Sequence, residues 1–192
     1  DLCRASQGRA LVLFTSHALL RETFEAVQAG LSGEGIPVLR QGQDDRGRLF
    51  ARFREETASV LFATDSFWEG VDAPGEALEL VILTRLPFRV PSDPVLQARM
   101  AALREEGRNP FTELALPDAV VRLRQGFGRL MRRGDDAGAV LILDSRIVRR
   151  PYGAHFISSL PSCRTVIGPE AEVLQALEDF LLAVRKKRSA SG

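Results

Sequence analysis

Ala10-Leu11-Val12-Leu13-Phe14-Thr15-Ser16 is an apolar run of strand length that stops on two hydroxyl residues. A short continuous apolar run bounded by polar residues reads as a strand buried on both faces. Thr15-Ser16 can cap a following helix. Leu19, Leu20, Phe24, Val27 and Leu31 recur near period 3.6, which predicts a helix over about 17–31, closed by Gly33 and Gly35. Short apolar runs and amphipathic segments go on alternating along the chain. Ile36–Leu39 reads as a second strand with Pro37 at its entry, and 46–56 as a helix with Leu49, Phe50 and Phe53 inward. Ser59–Ala63 and Leu80–Leu83 read as the third and fourth strands.

Beyond a Pro-interrupted stretch from Leu86 to Pro94, helices are predicted over about 93–106 and 118–132. Ala139–Leu143 is the fifth strand, 152–160 a short helix, Thr165-Val166-Ile167 a sixth strand and 170–184 a final helix. Apolar strands alternating with helices imply an α/β fold, a doubly wound and mainly parallel sheet with helices on both faces. The domain is expected over 8–184. The basic end 185–192 (Arg-Lys-Lys-Arg-Ser-Ala-Ser-Gly) is expected as a flexible tail.

At 192 residues the chain is the size of one domain, and its 45 % apolar and 27 % charged content fits a globular core. Collagen-like, disordered and disulfide-scaffold classes are excluded, and no apolar run approaches the ~20 residues that span a bilayer. No apolar signal segment follows Asp1, and without an initiator Met the chain reads as part of a longer protein. Cys3 and Cys163 fit a reducing compartment, hence a cytoplasmic location. The net charge is only +1, yet Lys186 and Lys187 are the only lysines. The remaining cations are arginines, which suit bidentate phosphate contacts, though genome composition explains them as well.

In open parallel sheets, sites collect beyond the carboxyl ends of the strands. Those positions hold Thr15-Ser16, Thr64-Asp65, Thr84-Arg85 and Asp144-Ser145-Arg146. The chain has no phosphate-cradling Gly-x-x-x-x-Gly-Lys, no nucleophile elbow and no Cys/His cluster, so no metal site is expected. Two stretches stand out. Thr64-Asp65-Ser66-Phe67-Trp68-Glu69-Gly70-Val71-Asp72-Ala73-Pro74-Gly75 brings acids, hydroxyls and glycines together behind a Phe-Trp pair. It reads either as a turn over core aromatics or as a ligand loop. Gln125-Gly126-Phe127-Gly128-Arg129-Leu130-Met131-Arg132 places two glycines in a helix, each costing ~1 kcal/mol relative to Ala. Gln125, Arg129 and Arg132 share one helical face, able to converge on a phosphate or simply to face water.

In this order and spacing, these phrases, with Leu11–Ser16, Leu86-Pro87-Phe88 and Pro91–Pro94, resemble the second RecA-like motor domain of DinG/XPD-like superfamily 2 DNA helicases, over about 8–160. The resemblance implies ATP and Mg2+ bound in a cleft shared with an N-terminal motor domain that carries the phosphate loop. It makes Arg132 an arginine finger and places Arg129 and Gln125 at the phosphates. It sets Gly70, Asp72 and Glu69 along the nucleotide edge, and Thr15, Ser16 and Thr64 on single-stranded DNA. It further implies 5′ to 3′ movement in DNA repair. The family's iron–sulfur cluster, where present, lies in the first domain, and Cys3 and Cys163 do not match it. Two other readings stand beside this one: a RecA-like binding module without a motor, and a phosphosugar-handling enzyme. The last is disfavoured because no general base is paired with a nucleophile.

Overall fold

The computed structural model describes residues 1–64, 67, 78–89, 93–130 and 137–191, the side chains of 129, 130 and 191 excepted. Its centre is a parallel five-stranded sheet of β1 (Ala10–Phe14), β2 (Val38–Arg40), β3 (Val60–Thr64), β4 (Leu80–Leu83) and β5 (Ala139–Ile142). The spatial order is β2-β3-β1-β4-β5, and every neighbouring pair is parallel. From the central β1 the chain passes to the β2 edge, returns through β3, crosses to β4 and ends at β5. The register aligns Ala10 with Val60 and Leu80, so the carboxyl ends of β3, β1 and β4 lie level.

Side chains alternate across a strand, and here both faces are apolar. Leu11, Leu13, Leu61, Ala63, Val81 and Leu83 point to one face. There they meet α3 (Arg46–Glu55) through Leu49 and Phe53, α5 (Leu116–Leu130) through Ala119 and Leu123, and α7 (Gly153–Ser159) through Phe156. Val12, Phe14, Val60, Phe62, Leu80 and Ile82 point to the other. That face is covered by α2 (His17–Gly33) through Leu20, Phe24 and Leu31, and by α8 (Glu170–Ser191) through Leu177 and Leu181. Short helices α1 (Leu2–Ala5) and α6 (Arg146–Arg149), and α4 (Pro94–Glu105), complete the described elements with a π-helical turn at Phe111–Ala115. Side-chain caps from Ser16, Asp45 and Asp93 start α2, α3 and α4, each stabilising its helix by about 1 kcal/mol.

Three sequence expectations are corrected. Thr165–Ile167 is not a strand: Val166 and Ile167 are exposed and the segment joins no ladder. An apolar triplet has no strand identity without an edge to pair with. The helix expected from Asp118 begins at Leu116, continuing the π-helical turn. The final helix, expected over 170–184, runs on to Ser191, and in that extension Arg185 and Arg188 have a partner. That partner is Glu79, 0 % exposed at the amino end of β4. Arg185 gives it two hydrogen bonds (3.1 and 2.8 Å), Arg188 one of 2.7 Å, and Arg9 a longer one of 3.5 Å. The pairs tie the C-terminal helix to the amino end of the sheet. α1 also packs on that helix.

Candidate functional site

Along the carboxyl edge the strands present, in spatial order, Gln41 after β2, Thr64 at the end of β3, Thr15-Ser16 after β1, Thr84-Arg85 after β4 and Asp144-Ser145-Arg146 after β5. Neighbouring strands lie ~4.8 Å apart, so this is one continuous polar rim. Thr15 is half-buried and Ser16 exposed. The Ser16 oxygen accepts the Leu19 N–H at 3.3 Å, so the same hydroxyl that starts α2 stands on the rim.

Thr64 is only 4 % exposed. Its N–H and hydroxyl both donate to Gln41 Oε1, at 2.7 and 3.0 Å. Gln41 in turn donates its own N–H to Phe62, which fixes it over the end of β3. Nothing in the sequence around Gln41 announces this role, since the partners are 23 residues apart. Arg46 was also not foreseen. It donates to the Phe67 carbonyl at 3.1 Å, and its guanidinium lies 5.1 Å from the Phe67 ring centre. Phe50 and Phe67 stack at 4.7 Å. The start of α3 therefore anchors the phrase after β3 at one point. Glu69, Gly70 and Asp72 of that phrase lie outside the described residues.

Gln125 is exposed on α5, with Arg124 beside it, while Gly126 is buried. Among the described residues no atom lies within 4 Å of a Cβ placed at Gly128. Arg132 and the Arg129 side chain lie outside the described residues. The convergence of Gln125, Arg129 and Arg132 therefore rests on their helical spacing.

At the β5 end, Asp144 is 8 % exposed and accepts the N–H groups of Leu86 (2.9 Å) and Arg146 (3.0 Å). The Arg146 guanidinium adds bonds of 2.9, 3.0 and 2.5 Å. Burial is the strongest single influence on the Asp144 carboxyl and pushes its pKa up. The Arg146 side chain, the two backbone donors and the Arg146 charge together outweigh it and bring the pKa down to about 2. The carboxylate holds Arg146 charged and aimed across Phe88, 5.6 Å from its ring centre. Phe88 packs against Phe111, Tyr152 and Phe156 at 5.7–5.9 Å, a rigid aromatic block behind the rim. Asp118 bridges Arg89 and Arg122 at 3.0 Å each, fastening the segment after β4 to α5.

Among the described residues no three His, Cys, Asp or Glu side chains converge to hold a metal ion. No described helix is long and apolar enough to cross a membrane. The hydroxyls and arginines along the rim can bind and orient an extended anion, and the described residues hold no nucleophile–base pair.

Comparison with known proteins agrees in kind. The chain is 48 % identical over 160 residues to ATP-dependent DNA helicase YoaA of Escherichia coli, covering 83 % of this chain and 25 % of that protein. It is 44 % identical over 161 residues to ATP-dependent helicase DinG of Mycobacterium tuberculosis, covering 84 % and 24 %. It is 40 % identical over 163 residues to the 3′-5′ exonuclease DinG of Bacillus subtilis, covering 84 % and 18 %. The chain thus spans about a quarter or less of the curated relatives it matches. Among solved structures, the C-terminal domain of Saccharomyces cerevisiae Dbp5 aligns with 94 % of this chain and 92 % of its own at a TM-score of 0.47 and 15 % identity, too remote a likeness to carry an argument. The model of the helicase C-terminal domain matches residues 1–163, and with a parallel sheet, a polar carboxyl rim and no phosphate loop of its own, this chain belongs to the helicase C-terminal domain family.

Proposed function

We propose that this chain is the second, RecA-like motor domain of an ATP-dependent DNA helicase acting in DNA repair in the cytoplasm. The observation that carries the reading is the polar rim of a five-stranded parallel sheet that lacks its own phosphate loop. Such a domain completes a nucleotide site whose other half, the phosphate loop and the acids for Mg2+, comes from an N-terminal motor domain of the same protein.

In this reading Arg132 reaches the γ-phosphate across the cleft. A cation there neutralises charge that develops on the transferred phosphoryl group and supplies ~10³–10⁵ in rate. Arg129 contacts the phosphates or holds Gln125, which orients the attacking water. Gly70 lets the backbone approach the nucleotide, Asp72 takes a sugar hydroxyl or orients the cation, and Glu69 lines the cleft. Thr15 and Ser16 grip a phosphate of single-stranded DNA. Thr64 joins them through the hydroxyl that donates to Gln41 in this structure. Cleft closure on ATP and opening after hydrolysis then advance the domain 5′ to 3′.

The test is single-stranded-DNA-stimulated ATP hydrolysis by the full-length protein and its Arg132→Ala variant, with ATP and DNA binding measured in both. Retained binding with a loss of two or more orders of magnitude in turnover is expected. No stimulation in the parent, or an indifferent Arg132→Ala, refutes the motor and leaves a RecA-like binding module.

A further inference from the structure

The β4 and β5 ends enclose an open cleft of about 320 Å³, lined by Thr84, Arg85, Leu143, Asp144, Ser145 and Arg146. Its walls are fixed from behind. Thr84 gives both its N–H (3.0 Å) and its hydroxyl (2.9 Å) to the Leu13 carbonyl, which locks the cleft to the end of β1. Asp144 is held by Leu86 N–H on one side and by Arg146 on the other. Asp144 and Arg146 cancel each other's charge. Arg85 is exposed and forms no ion pair with any described residue, so it alone sets the sign of the cleft. The Ser145 hydroxyl is exposed beside it. Leu143, 54 % exposed, gives the mouth an apolar lip.

One uncompensated cation matches the single negative charge of a phosphodiester rather than the several charges of a nucleoside triphosphate. A hydroxyl donor and an apolar lip suit the sugar and base that flank a phosphate in a polymer. The cleft also adjoins Thr15-Ser16, because β4 lies directly against β1. We propose that this cleft is a phosphate subsite of the single-stranded DNA track, with Arg85 as its cation and Leu143 against the adjoining sugar or base. The proposal rests on the reading of the chain as half of a DNA motor and extends the track two strands beyond the residues assigned to it.

The test is binding of a fluorescein-labelled oligothymidylate to the full-length protein by anisotropy, across a salt series. Arg85→Ala should raise Kd about tenfold at low salt, and Arg85→Lys should restore most of the affinity. The slope of log K against log salt should fall in magnitude by about 0.7 in Arg85→Ala, the contribution of one neutralised phosphate of a single strand. Arg52→Ala, an exposed arginine in the last turn of α3, is the control for general charge loss and should leave the slope unchanged. Wild-type affinity and slope in Arg85→Ala overturn the subsite while leaving the motor standing. An equal fall in slope in Arg52→Ala also overturns it. If the wild type shows no salt-dependent binding, the DNA reading falls and the subsite with it.

Discussion

Replacing Glu79 by Gln removes the charge on which Arg9, Arg185 and Arg188 converge. The carboxylate is fully buried, whereas the Arg185 and Arg188 side chains remain 19 % and 30 % exposed, so the loss sits below that of a wholly buried network. Hydrogen bonds to charged groups contribute about 1.5–3 kcal/mol each, and breaking a buried pair costs about 3–5 kcal/mol. Arg185 and Arg188 make the short bonds. The 3.5 Å bond from Arg9 adds little. Discounted for the partial exposure of the arginines, the loss comes to about 3 kcal/mol, or roughly 6–12 °C in Tm for a domain of this size. The assays are urea unfolding and thermal unfolding of the 192-residue chain, both followed by far-UV circular dichroism, for Glu79→Gln, for Arg185→Gln with Arg188→Gln, and for all three together. Because the groups touch, their losses should be strongly non-additive, with a coupling of at least about 1 kcal/mol. A coupling below about 0.5 kcal/mol, or a Tm change in Glu79→Gln under about 3 °C, would refute the claim that this buried carboxylate anchors the last helix.

Two other predictions concern the rim. The Asp144 carboxyl has a folded pKa near 2, below its ordinary 3.8, so it stabilises the fold above pH 4 and that contribution is lost as pH falls through about 2. Asp144→Asn should flatten the stability profile in that window, and acid titrations of the two proteins that superimpose would contradict it. Gln41→Leu removes the acceptor that the Thr64 N–H and hydroxyl share, a loss of about 1–3 kcal/mol in chemical denaturation. Gln41→Glu keeps an acceptor at the same place and should lose less. Equal losses in both would contradict the hydrogen bond to Thr64 as the source of that stability.

The sequence by itself determined the five strands, the long helices and the class of fold. Val12, Phe14 and their neighbours on β1 are apolar on both faces, which only a sheet covered by two helix layers can bury. Strand spacing and the hydroxyls after Phe14 placed the rim, and the Gln125–Arg132 phrase marked the family. These are local signals, carried by periodicity within a dozen residues. Partner choice was decided only in three dimensions. Gln41 plugs the end of β3 from 23 residues away, Asp144 receives Leu86 from 58, and Glu79 holds Arg185 from 106. Each polar group needed a partner once buried, and the chain alone does not say which of many equivalent arginines or carbonyls will be nearest. The same limit explains the two ends of the C-terminal segment. Val166-Ile167 looks like a strand but finds no edge, while the helix expected to stop at Val184 continues through the basic run, where a buried carboxylate lies within reach.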